Sequence, residues 1–128
     1  MTGLKTALCQ LKVRPSLEES LAAASAALEQ ARKSEAQIAI LPEMFACPYE
    51  AASFQALAEE EGGPVWRFLE AESRNLILVG GSHPEREGSQ IYNTCYVFED
   101  GRFLGKYRKI HLFDVDYPGL TYRESDTL

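Results

Sequence analysis

The sequence predicts an α/β fold, on three observations. Short apolar runs recur at Leu4–Leu11, Gln37–Leu41 and Leu76–Gly81, each followed or ended by proline or glycine, which is the pattern of buried strands. Helical periodicity fills the intervals between them. Two further runs, Ile91–Phe98 and Phe103–Tyr107, are separated by Glu99-Asp100-Gly101-Arg102, and Asp-Gly between such runs is a hairpin signal.

Taken in order, Leu4–Leu11 alternates loosely and reads as a first strand whose small residues suggest burial on both faces. Pro15 breaks it. Ser16-Leu17-Glu18-Glu19 has the form of a capping box, in which the Ser16 hydroxyl accepts from the Glu19 N–H and the Glu19 side chain reaches back. A helix follows from Leu17 to about Lys33, with Leu17, Leu21, Ala24 and Leu28 on one stripe. Gln37–Leu41, ended by Pro42, is a second buried strand. Strand, helix, strand implies parallel pairing with a right-handed crossover. Ser53–Glu61 reads as a short helix ended by Gly62-Gly63, and Pro64 suits the first turn of another that runs to about Arg74. Leu76–Gly81 is a third buried strand. Its Gly80-Gly81 pair permits close backbone approach and is no phosphate loop, since neither GK[ST] nor GxGxxG follows. His83–Gln90 is polar and carries Pro84 and Gly88, so it reads as a hairpin loop, and Asp114–Asp126 reads as irregular. No internal repeat, low-complexity segment or linker interrupts the chain.

Composition narrows the function. The chain has 128 residues, a length that suits one small domain or a piece of a larger one. Apolar residues make up 45%, enough for a packed core. The formal charge of −6, from 13 basic against 19 acidic residues, argues against nucleic acid as the main partner and suits an anionic membrane surface poorly. Cys9, Cys47 and Cys95 are widely spaced, with no C-x-x-C pair, which gives neither a disulfide framework nor a zinc site. His83 and His111 stand far apart, so no metal is expected. With no signal-peptide pattern and no apolar run of bilayer length, the expected compartment is cytoplasmic.

Chemistry concentrates in Lys106-Tyr107-Arg108-Lys109-Ile110-His111-Leu112-Phe113-Asp114. A lysine held among apolar neighbours is a candidate for charge stabilisation or proton chemistry. The plainer alternative is that Lys106, Arg108 and Lys109 alternate with Tyr107 and Ile110 on an edge strand. Pro42-Glu43-Met44-Phe45 lies just past the C-terminal end of the second strand, where ligand sites gather in open α/β sheets. Glu43 there is either a functional carboxylate or a loop carboxylate accepting backbone N–H groups. Cys47 is close by, but no histidine accompanies it, and a free cysteine is commonly a small packing residue.

Three blocks resemble the nitrilase superfamily, the carbon–nitrogen hydrolases: Ile40-Leu41-Pro42-Glu43-Met44-Phe45; Gly80-Gly81-Ser82 with Tyr92-Asn93-Thr94 and Gly101; and Tyr107–Asp114. Their order and separations suit the N-terminal half of that family across essentially the whole chain. The Lys-Ile-His-Leu-Phe-Asp run, with Pro118-Gly119 and Glu124-Ser125 after it, looks most like the ω-amidase branch, and the branch acting on deaminated glutathione is similar. The resemblance implies half of an α-β-β-α sandwich, no cofactor, and hydrolysis of the terminal amide of a small α-keto acid amide such as 2-oxoglutaramate.

It also implies roles. Glu43 matches the general base and Lys109 the lysine of a Glu–Lys–Cys constellation, while Glu124 stands where a second, supporting glutamate would lie. Tyr49 and His111 could line the substrate pocket or serve as packing. The family's nucleophilic cysteine lies beyond the lysine, on a strand-to-helix elbow, and matches none of the three cysteines here. Residues 1–128 are therefore expected to be a partial domain, inactive alone, with the inner face of its sheet open. The intact protein is expected to form homo-oligomers. The competing expectation is a truncated, non-catalytic relative acting as an interaction module.

Overall fold

The computed structural model describes residues 3–128. Three short parallel strands start the sheet: β1 (Thr6–Leu8), β2 (Ile38–Ile40) and β3 (Ile77–Val79). The crossover from β1 to β2 is α1 (Leu17–Lys33), and the one from β2 to β3 contains α2 (Ala51–Leu57) and α3 (Pro64–Glu72). The chain then turns antiparallel through β4 (His83–Glu87), β5 (Gln90–Glu99) and β6 (Arg102–Arg108). The long β5 pairs with β3 through Val97–Glu99 and with β4 through Gln90–Thr94. Its other edge carries β6. A separate hairpin, β7 (Asp114–Tyr117) and β8 (Leu120–Arg123), is followed by a single 3-10 turn at Glu124–Asp126.

Ser16 caps α1 as its sequence suggests, its hydroxyl accepting from the Glu19 N–H at 3.1 Å. Ala24, Leu28 and Ala31 of α1 pack with Val65 and Leu69 of α3 onto Ala39, Leu78, Tyr96 and Phe98 of the sheet. Arg32 and Glu72 lock the two helices together at 2.8 Å, and the Ser25 hydroxyl donates to the same carboxylate at 2.7 Å. Helices thus cover one face of the sheet.

The other face is open. Strand register sets Leu8, Ile40, Val79 and Val97 side by side across four strands, and Cys95 beside Tyr107. Leu8 is 78% exposed and Tyr107 58%. The expectation that the first strand is buried on both faces therefore fails. It is an edge strand with helices on one side only, and it is shorter than the Leu4–Leu11 run.

Two loops of the sequence reading are strands. His83–Glu87 is polar because Glu85 faces inward, 2% exposed, and meets cations from β6. Arg108 Nε lies 2.7 Å from it, Lys106 Nζ bonds its other oxygen, and the Thr94 hydroxyl donates at 2.8 Å. Charge complementarity, not alternation of apolar residues, specifies this strand. The predicted loop shrinks to the turn at Gly88, whose φ is +59°. In the second case, Pro118-Gly119 is the turn of the β7–β8 hairpin, with Gly119 at φ +86°.

Candidate functional site

The site is built where two turns meet on the open side of the sheet. Leu41 N–H donates to the Val79 carbonyl at 3.0 Å, which continues the parallel pairing past β2. The chain then bends: Met44 takes a φ of +49°, and its N–H donates to the Ser82 hydroxyl at 2.9 Å. The Gly80-Gly81-Ser82 corner is the seat of this turn. A Cβ on Gly81 would stand 2.0 Å from the Pro42 carbonyl oxygen, and its φ is +59°. So the glycine pair and the Pro-Glu-Met turn are one piece of architecture, and together they seat the backbone that carries Glu43.

Lys106 and Arg108 stay on the helix-covered side with Glu85. Lys109 does not continue that alternation. Its N–H donates to the Asn93 carbonyl at 2.8 Å just past the end of β6, and its side chain turns into a cluster of acceptors. Lys109 Nζ lies 2.8 Å from Glu43 Oε1, 3.0 Å from Glu124 Oε2 and 3.2 Å from the Tyr49 hydroxyl. Burial alone would pull this ammonium's pKa down, but the hydrogen bonds to Glu43, Glu124 and Tyr49 carry it well above the ordinary lysine value. Lys109 is a fixed cation.

The two carboxylates differ. Glu124 is fully buried, and both its oxygens are occupied: Oε1 accepts from Asn93 Nδ2 at 3.1 Å, and Oε2 from Lys109 and the Phe113 N–H. Burial pushes its pKa up, but the Phe113 N–H, Asn93, Lys109 and Tyr49 outweigh that and hold it below the usual value. Glu43 has a half-exposed side chain. Its Oε1 accepts from Lys109, from Asn93 Nδ2 at 2.8 Å and from the Tyr49 hydroxyl at 3.4 Å, and Oε2 accepts nothing from the described residues. The hairpin β7–β8 delivers Glu124. Its base is pinned where the Glu124 N–H donates to the Phe113 carbonyl at 3.2 Å and the Ser125 hydroxyl to Asp114 at 2.6 Å.

Glu43, Lys109, Glu124 and Tyr49, far apart in the sequence, thus meet within hydrogen-bond reach. His111 is not brought in; it is exposed on the bend after Lys109. Asn93 touches both carboxylates. It lies within the Tyr92-Asn93-Thr94 block that carries the family resemblance, which gave it no role in the site. Next to the cluster, a recess of about 300 Å³ opens on the uncovered face, lined by Ile40, Val79, Cys95, Tyr107, Glu43 and Lys109 among others.

None of the three thiols is joined to the cluster by a hydrogen bond among the described residues. Cys47 is buried against Met44 and Phe54, and burial, with Glu50 nearby, pushes its pKa up to about 12. Cys9 is half-buried at the edge of the core. Cys95, on β5, faces the open recess, and burial raises its pKa too. The described residues hold no group of His, Cys, Asp and Glu side chains able to bind a metal ion.

The fold is thus a parallel-then-antiparallel sheet with helices on one face and a Glu–Lys–Glu cluster beyond its strand ends. Residues 5–128 match the carbon-nitrogen hydrolase family, and the chain belongs to it. It is 42% identical, over its whole length, to an omega-amidase of Homo sapiens, of which it covers 48%. Among solved structures it is similar to Nit3 of Saccharomyces cerevisiae, a member of branch 10 of the nitrilase superfamily. That match has a TM-score of 0.82 and 33% identity, covering 98% of this chain and 47% of the other. It also matches the amidase of Nesterenkonia sp. AN1, seen with acrylamide added at its active site cysteine. There the TM-score is 0.75 and the identity 26%, covering 87% of this chain and 46% of the other. The chain spans about half the length of these relatives.

Proposed function

We propose that this chain forms part of an ω-amidase-like enzyme that hydrolyses the terminal amide of a small α-keto acid amide, such as 2-oxoglutaramate, and releases ammonia. The observation that carries this reading is the asymmetry about Lys109. Glu124 is buried and both its oxygens accept hydrogen bonds, while Glu43 has a half-exposed side chain whose Oε2 accepts nothing from the described residues. A base needs an oxygen that can take a proton; an anchor does not.

In this reading a cysteine thiol supplied by residues outside this chain enters the recess beside Glu43. Glu43 takes the thiol proton as sulfur attacks the amide carbon. Lys109 faces the oxyanion that forms, holding positive charge where negative charge develops. The C–N bond then breaks, the proton on Glu43 leaves with ammonia, and Glu43 next takes a proton from the water that cleaves the thioester. Glu124 keeps Lys109 charged and in place. Tyr49, donating or accepting beside Lys109, lines the same site. The amide class rests on the similarity to omega-amidases; an amidase acting on deaminated glutathione is the nearest alternative.

Lys109→Met in the full-length protein is the test. Ammonia release from 2-oxoglutaramate should fall by about 10²–10³-fold in kcat, the usual cost of losing one donor to a developing oxyanion. Retention of more than about a third of wild-type kcat is within the reach of a surface charge and would exclude the role. Hydrolysis of deaminated glutathione, and not of 2-oxoglutaramate, would move the assignment to the alternative substrate.

A further inference from the structure

We propose that Asn93 is the positioning residue of this site, its single side-chain amide nitrogen clamping Glu43 and Glu124 on either side of Lys109. The inference rests on the reading of Glu43 as the base and assigns what aims it.

The geometry is specific. Asn93 is 3% exposed, and its Nδ2 reaches Glu43 Oε1 at 2.8 Å and Glu124 Oε1 at 3.1 Å. An amide NH2 has two hydrogens, so both are spent on carboxylates. Its backbone carbonyl meanwhile accepts from the Lys109 N–H at 2.8 Å. One residue therefore fixes all three charged members, two by side chain and one by main chain. It does so from the middle of β5, the strand that pairs with β3, β4 and β6 and is the most firmly held element of the sheet.

The consequence falls on Glu43. Its side chain is half exposed and its backbone sits in a turn, so it has freedom that Glu124 lacks. Lys109 and Asn93 both bond Oε1. Together with the longer bond from the Tyr49 hydroxyl, these donors hold Oε1 and leave Oε2 without a partner among the described residues. Lys109 alone could follow the carboxylate through several rotamers, since its ammonium turns freely on a flexible stem. The planar amide on a strand cannot.

The test compares Asn93→Ala and Asn93→Asp with wild type and Glu43→Gln in the full-length protein, reading kcat and KM for ammonia release and thermal unfolding. Asn93→Asp keeps the shape but replaces donors by acceptors, so it separates aiming from packing. Both Asn93 variants should lose kcat on the order of 10²-fold, the scale of a misplaced reacting group, with KM within about threefold of wild type. Asn93→Asp should also recover part of the lost activity relative to wild type as pH is lowered, because a protonated carboxyl donates one of the two hydrogen bonds that the amide makes. If Glu43→Gln is inactive while both Asn93 variants keep wild-type kcat, the proposal is wrong and the base reading survives. Loss of activity that tracks unfolding, with no recovery in acid, also overturns it. If Glu43→Gln is active, the base reading fails and this proposal fails with it.

Discussion

His83 shows how a single buried side chain ties this fold to pH. It is 1% exposed, its Nε2 lies 3.0 Å from the Leu57 carbonyl, and Nδ1 has no partner among the described residues. Burial drives its pKa down to about 4, against a smaller upward pull from the Leu57 carbonyl. Unfolded histidine titrates near ~6.5. Between those values the unfolded chain binds more protons than the folded one, so stability rises with pH across that window and is lost on descending through it. Between about pH 6.5 and pH 4 wild type should lose roughly 2–4 kcal/mol more unfolding free energy than His83→Gln does. Urea denaturation at a series of pH values measures this; identical slopes for the two proteins would contradict it. Acid also acts on Glu85. Burial raises its pKa, but Arg108, Lys106 and Thr94 bring it down to about 2. Its contribution is present above the unfolded carboxylate value of about 4.3 and is lost as pH falls toward 2, after His83 has titrated.

At the scale of elements, the Gly81 corner matters more than any helix. Its positive φ and the 2.0 Å approach of a would-be Cβ to the Pro42 carbonyl oxygen mean that Gly81→Ala must push the Glu43 turn off its seat. The expected cost is at least about 1–3 kcal/mol in chemical denaturation, with a fall in kcat at least as large as the stability loss would explain. An alanine variant of unchanged stability would show that the turn is not held there. The elements also show what a sequence can and cannot disclose. Helix α1 was legible because its cap residue and apolar spacing are local. The βαβ start was legible because Pro42 and Gly80 end its strands. Strand β4 was not, because its polar residues are explained only by Lys106 and Arg108 on a strand two removed in the chain. The β7–β8 hairpin was missed for a similar reason: Pro118-Gly119 was seen, but Asp114, Val115, Leu120 and Tyr122 carry no alternation of buried and exposed residues. Among site residues, Glu43, Lys109 and Glu124 entered through resemblance, and local pattern left Glu43 and Lys109 open to plainer readings. Asn93 was seen within a resemblance block but had no role there, because its meaning depends on two carboxylates from distant turns.

The whole molecule is a one-sided layer. Helices α1 and α3 bury one face of the sheet, while Leu8, Ile40, Val79, Val97 and Tyr107 line the other. An open apolar sheet face of this kind calls for a second layer, and the half-site faces the same way. The chain covers 48% of a human omega-amidase. In the proposed function this chain contributes base and cation, and the nucleophile arrives with the layer that covers the sheet. The most direct test is ammonia release from 2-oxoglutaramate by residues 1–128 alone, beside a polypeptide that continues past Leu128. Turnover by the longer chain only, with none by the shorter one, is the predicted result. Turnover by residues 1–128 alone, lost on Cys47→Ser or Cys95→Ser, would contradict it and place the nucleophile inside this chain.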